Sequence, residues 1–148
     1  MYKQLKYAVL AFAASGVANA FAVEQPTTPA GYYALGEQFG QCAGFYSFLI
    51  RQSEKERRQD MAQDFAQRRV NWRLATVVFL GFGHAKNAAS AAQSIEDAEA
   101  NKQQARFDAG AASIINDMIA DHKQQCEPLE PLREGAVQAL KNSARPAQ

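Results

Sequence analysis

The side chains best suited to chemistry in this chain are two cysteines and two histidines. Cys42 and Cys126 lie 84 residues apart, a spacing that excludes a local C-x-x-C redox motif and c-type haem attachment. In an oxidising compartment two cysteines allow only one intramolecular bridge. We therefore predict a Cys42–Cys126 disulfide.

His122 stands four residues before Cys126 and four after Met118, so these side chains share one face of a helix. Reduced cysteines together with His122 could ligate zinc or copper, and Met118 could add a ligand to copper or haem. A disulfide removes both thiolates, so we expect no metal and no cofactor. A metal- or haem-binding bundle that uses His122 and Met118 stays the alternative hypothesis.

No catalytic group of residues can be recognised in the sequence. His84 follows a Gly-Phe-Gly turn, but no serine or cysteine beside it has an activating context for nucleophilic attack. The acidic residues Glu96, Asp97 and Glu99 are typical of a solvated helix face. The sequence therefore favours a protein that is not an enzyme.

The first 20 residues have the pattern of a cleaved secretory signal peptide. A basic head with Lys3 and Lys6 precedes an apolar stretch over 7–14, and small residues follow. Cleavage is predicted after Ala20, with Ala22 as the alternative. The apolar stretch is too short for about 30 Å of hydrocarbon, and no cysteine near the cleavage position could carry a lipid, so we expect no stable membrane anchor. These features predict a periplasmic or secreted protein of a bacterial envelope.

The charge balance argues against nucleic acid as a partner. Removal of residues 1–20 deletes two lysines and no acidic residue, which leaves 14 basic and 15 acidic side chains. Binding to phosphate backbones requires a clear excess of positive charge, which this chain lacks.

Apolar residues recur at helical spacing along most of the chain, and no segment alternates like a strand. Thr28 and Pro29 predict the start of a helix that runs to about Gln52. Six of its side chains form one apolar stripe: Tyr32, Leu35, Phe39, Cys42, Tyr46 and Leu49. Gly36, Gly40 and Gly44 repeat on a neighbouring face and predict the close approach of another helix.

Three further helices are expected. Ser53 and Glu56 match a capping box, which predicts a second helix from about Glu54 to Phe82, although one long kinked helix is the alternative. Gly83 is expected to end it in a left-handed conformation. A third helix is predicted over 86–125, with a break or bend at 108–110, and a short fourth helix begins near Glu130.

The expected fold class is all-α: a small bundle of three main helices and a short C-terminal helix, closed by one disulfide. The helical domain is predicted over 29–142, between a flexible segment at 21–28 and a disordered tail at 143–148. The second helix is basic and the third acidic, which favours their being neighbours.

Aromatic residues are crowded on the first helix. Phe45 and Phe48 lie partly off its main stripe, whereas one helix has only one inward face. Either this helix is buried on two sides, or Tyr33, Phe45 and Phe48 belong to a patch that binds a partner. We expect a non-enzymatic protein-binding module, of the inhibitor, immunity or accessory type, whose partner is another envelope protein or a second copy of the chain.

Overall fold

The computed structural model describes residues 25–111 and 113–143, which form the predicted all-α bundle. Its helices are α1 (Pro29–Lys55), α2 (Gln59–Phe82), α3 (Ala88–Ala109), α4 (Ile114–Cys126) and α5 (Glu130–Ser143), with a 3₁₀ turn at Glu127–Leu129 before α5. The predicted signal peptide, its cleavage positions Ala20 and Ala22, and the end of the predicted tail lie outside the described residues. No helix within the described ranges is both long and apolar enough to cross a membrane.

Helix α1 begins where the sequence predicts. The Thr28 hydroxyl accepts a hydrogen bond from the amide of Gly31 at 3.1 Å, and Pro29 takes the first helical position. The predicted apolar stripe faces the interior, because Leu35, Phe39 and Cys42 belong to the first core cluster. This cluster joins α1 to α2, to the 3₁₀ turn and to α5.

The end of α1 corrects the predicted capping box. Ser53 is buried inside α1, which continues to Lys55 instead of ending near Gln52. The turn follows at Arg57, whose φ of 60° is left-handed, and the amide of Arg58 donates to the Ser53 carbonyl at 2.8 Å. The first two helices are therefore separate, and α2 begins at Gln59, not at Glu54.

The turn between α2 and α3 corrects a second prediction. Gly83 has an ordinary φ of −74°, and the left-handed residue is His84, with a φ of 61°. A Cβ at position 83 would lie 2.7 Å from the backbone nitrogen of Tyr33. Gly83 is thus required for the close approach of the α1 backbone and not for helix termination.

The predicted third helix is two helices, since the break at Gly110 separates α3 from α4. The side chain of Asn87 caps α3 by accepting from the amide of Ser90 at 3.0 Å. Helix α4 ends at Cys126, before the Glu127-Pro128 pair that the sequence marks as a stop.

Helix α1 is the centre of the bundle. Later residues of α1 contact earlier residues of α2 and α4, so both helices run antiparallel to α1. The pairs that show this are Gly36 with Leu80, Tyr46 with Phe65, Cys42 with Cys126 and Phe45 with His122. Later residues of α1 contact later residues of α3, from Gly40 with Ile95 to Arg51 with Asn101, so α1 and α3 are parallel.

The glycine face of α1 carries the close helix contacts that its spacing predicts. A Cβ at Gly44 would lie 2.6 Å from the Cβ of Glu99 and 2.7 Å from the carbonyl oxygen of Glu96. Only a residue without a side chain permits α3 to approach this closely. The gain in packing offsets the roughly 1 kcal/mol that glycine costs inside a helix.

A buried carboxylate joins α1, α2 and α3. The expectation of a solvated face is wrong for Glu96, which is 1% exposed and accepts a hydrogen bond from the Ser47 hydroxyl at 2.6 Å. The guanidinium groups of Arg69 and Arg73 approach its two oxygens at 3.7 and 3.8 Å. These ion pairs confirm that the basic second helix lies beside the acidic third segment. Burial of a charge requires such partners, so the carboxylate holds the three helices in one register.

Candidate functional site

The main candidate site is a cleft of about 740 Å³ between α1, α2 and α4. Helix α1 forms the floor, with Tyr46 between Phe65 of α2 and His122 of α4; the ring centroids are 6.3 and 5.1 Å apart. Helices α2 and α4 each pack on α1, and the cleft separates them from one another.

The apolar lining combines side chains of all three helices with one from the end of α3. It consists of Phe45, Tyr46, Leu49, Met61, Phe65, Trp72, Phe107, Ile115 and Ile119. Ile119 is the most exposed member of this lining, at 37%. Clefts of this size and lining, placed between the helices of a bundle, are a usual location for ligand binding.

The charged rim is largely neutralised by its own ion pairs. Arg68 binds Asp64 at 2.9 Å, and this carboxylate holds the pKa of the Arg68 guanidinium above its ordinary range. Glu130 pairs with Arg133 at 2.5 Å, and Glu56 pairs with Arg58 at 3.8 Å. The rim therefore creates little net field over the apolar floor.

His122 forms part of the α4 wall and is neutral at neutral pH. Its ring stacks on Phe45 with the centroids 4.2 Å apart, and its Nδ1 atom lies 3.3 Å from the sulfur of Cys126. Burial lowers its pKa from 6.5 to about 4, because the imidazolium would lose hydration without gaining a carboxylate partner. The histidine thus behaves as an aromatic wall residue at neutral pH.

The Cys42–Cys126 disulfide is formed as predicted and anchors the end of α4 to the middle of α1. Helix α4 has few other attachments. Its apolar residues Ile114, Ile115 and Met118 enter the second core cluster, and Asp121 binds Arg106 at 2.7 Å. The disulfide is consequently the covalent support of one cleft wall.

The predicted aromatic patch is wrong, because its members do not form a common surface. Phe45 and Phe48 are buried in the second core cluster, with exposures of 4% and 0%. Tyr33 is partly exposed, but it precedes Phe45 by twelve residues, about 18 Å along the helix. Helix α1 is instead buried on two sides, as the other interpretation had it.

The side chains of the alternative metal or haem hypothesis are engaged elsewhere. Met118 is 1% exposed in the second core cluster, and the sulfur atoms of Cys42 and Cys126 are bonded to each other. Within 25–111 and 113–143, no group of three His, Cys, Asp or Glu side chains is arranged to hold a metal ion. His84 is exposed in the turn between α2 and α3, far along α2 from the cleft.

Sequence reasoning missed the two cleft walls. Met61 and Phe65 are apolar residues four apart in an otherwise charged stretch of α2, and Ile115 and Ile119 have the same spacing on α4. Such isolated pairs are the signal that could have pointed to a surface. Comparison of the chain with protein-family models, with curated proteins and with solved structures finds no match.

Proposed function

We propose that this chain is an exported, non-enzymatic protein-binding module of the bacterial envelope, and that its binding surface is the cleft between α1, α2 and α4. The proposed address rests on the signal-peptide pattern of residues 1–20. It is supported by the disulfide, since such bonds persist in oxidising compartments.

The observation that carries the binding proposal is the open apolar floor. Large side chains from three helices converge there; Tyr46, Leu49 and Phe65 are only partly buried, and Ile119 keeps more than a third of its surface in water. An open, mostly apolar cleft between the helices of a bundle is a usual location for binding. Burial of this surface by a partner would supply the main part of the binding free energy.

The composition of the rim favours a protein partner over a charged small molecule. The paired rim charges cancel in sum, and they place hydrogen-bond donors and acceptors beside the apolar floor. This arrangement resembles the general anatomy of protein interfaces, in which an apolar centre is surrounded by a polar rim. The surroundings of His122 and Met118 do not favour a metal or haem site, so we advance one function only.

A matched pair of substitutions tests the proposal. Ile119→Glu places a charge in the cleft, and Val70→Glu places one on an equally exposed apolar position of α2 that does not line the cleft. Both side chains are partly exposed, 37% and 42%, so both variants are expected to fold, which circular dichroism checks.

Mature wild-type and variant proteins are then used for affinity capture from an envelope extract of the source cells. We expect one protein, another polypeptide or a second copy of the chain, to bind wild type and Val70→Glu but not Ile119→Glu. Retention of the same partner by Ile119→Glu, or the absence of any specific partner, would refute the proposal.

A further inference from the structure

The cleft is about as long as a short helix that would pack in the bundle between α2 and α4. Its floor on α1 extends from Tyr46 to Glu56, and its wall on α4 extends from Ile115 to Cys126. At a rise of 1.5 Å per residue these stretches are about 15 and 17 Å long. The wall on the α2 side, from Arg58 to Trp72, is about 21 Å long. A helix of about 10 to 14 residues matches this length.

We propose that the occupant of the cleft is an amphipathic helix of the partner, about three to four turns long; this inference rests on the proposed function. The two walls run in the same direction, each antiparallel to α1. Ridges of Phe65 on one side and Ile119 on the other leave a groove for the apolar stripe of such a helix.

An exposed carboxylate at one end of the cleft gives the bound helix a direction. The end near Trp72 and Cys126 carries Glu127 and Glu130, with Lys123 one turn before Glu127 and Arg133 paired with Glu130. Glu127 is exposed and has no ion-pair partner among the described residues. A carboxylate stabilises the positive N-terminal end of a helix dipole and any lysine in its first turn. We therefore expect the N-terminus of the bound helix at Glu127.

The helix dipoles of the walls favour the same direction. With its N-terminus at Glu127 the bound helix runs toward Glu56, parallel to α1 and antiparallel to α2 and α4. Neighbouring antiparallel helices have favourably opposed dipoles. The exposed Glu127 carboxylate and the dipoles of the two walls thus favour one orientation, against the single parallel dipole of α1.

Three designed peptides of about 14 residues, blocked at both ends, provide the probe. The first has leucines at helical i, i+3, i+4 and i+7 spacing with two lysines in its first turn. The second has the same composition with the lysines in its last turn. The third is the first with a central proline. Fluorescence anisotropy with the mature protein measures each dissociation constant.

We expect the first peptide to bind wild type and Val70→Glu, and to bind Ile119→Glu at least about tenfold more weakly, because a buried unpaired charge is costly. The proline peptide should bind at least about tenfold more weakly than the first, since proline breaks the helix. Equal binding of the proline peptide would overturn the helical occupant, and binding unaffected by Ile119→Glu would overturn the site.

The orientation is tested with Glu127→Lys and a matched control, Glu37→Lys, which changes an exposed residue of α1 away from the cleft. Wild type should prefer the first peptide to the second by roughly two- to fivefold, and Glu127→Lys should remove this preference while Glu37→Lys keeps it. A preference that is unchanged in Glu127→Lys overturns the orientation.

These outcomes are separate from those of the capture experiment. If no peptide binds, or if the proline peptide binds equally well, while the native partner is still lost on Ile119→Glu, the helical occupant is wrong and the protein-binding function stands. If the native partner is retained by Ile119→Glu, the function itself is wrong.

Discussion

The neutral His122 in the cleft wall makes the stability of this protein depend on pH in a defined window. The unfolded chain has the ordinary histidine pKa of 6.5, whereas the folded chain has a value of about 4. Above pH 6.5 both states are neutral and the histidine imposes no penalty. As the pH falls toward 4, His122 binds a proton in the unfolded state but not in the folded state, so the free energy of unfolding decreases. Below pH 4 both states are protonated and this decrease is complete.

The size of this loss follows from the pKa difference. For a fully buried ring, a change in pKa from 6.5 to about 4 would correspond to about 3 to 4 kcal/mol. Because this ring keeps some contact with solvent that screens its charge, we expect a loss of about 2 kcal/mol. The charged groups at the cleft around His122 are Lys123 and Glu127 on its own segment and the Asp64–Arg68 pair on α2. Because the Asp64–Arg68 pair is neutral in sum, desolvation decides the direction of the His122 pKa shift.

Urea unfolding at pH 7 and pH 4, followed by the fluorescence of the single buried tryptophan Trp72, measures the effect. His122→Phe keeps an aromatic ring against Phe45 and cannot titrate. Between pH 7 and pH 4 the wild type should lose about 2 kcal/mol more than His122→Phe. All other side chains are the same in the two proteins, so their contribution cancels in the difference. Equal losses in the two proteins would show that His122 is not held neutral by burial.

Three further predictions follow from the sequence and the packing. Replacement of both Cys42 and Cys126 by serine should lower the free energy of unfolding by about 4 kcal/mol, because the bridge closes a long loop; urea unfolding that is unchanged would contradict it. Gly44→Ala should destabilise by about 1–3 kcal/mol through contact with α3, whereas Gly135→Ala, at the surface of α5, should be neutral or stabilising; a thermal melt that ranks them otherwise refutes the packing argument. N-terminal sequencing of protein from the cell envelope should begin at Phe21, or at Val23 for the alternative cleavage; protein that begins at Met1 would remove the proposed address.

Much of the fold could be predicted because local rules decide it. The Thr28-Pro29 start, the stripe through Phe39 and the break at Gly110 depend on residues that are neighbours in the chain. The capping box at Ser53 failed because tertiary burial of that serine within a longer α1 outweighed a weak local signal. Gly83 was assigned the wrong role because the backbone of Tyr33, which excludes a side chain there, lies fifty residues earlier.

The candidate site could not be predicted in the same way. Phe45 and Ile119 are both apolar residues of amphipathic helices, yet Phe45 is buried beneath His122 and Ile119 is open to solvent. Periodicity states that a residue belongs to an apolar face, but not whether another helix covers that face. Exposure is a property of the assembled neighbours and is therefore absent from any single segment.

The sequence alone determined the helical class, the pairing of Cys42 with Cys126 and the apolar face of α1, since composition, cysteine count and periodicity are local or additive properties. Only the tertiary structure decided that α2 and α4 stand apart over the floor of α1 and leave a cleft between them. The physical reason is that the glycine face of α1 admits α3 at close range, while the disulfide fixes α4 at one end, and no helix of the described chain fills the remaining space.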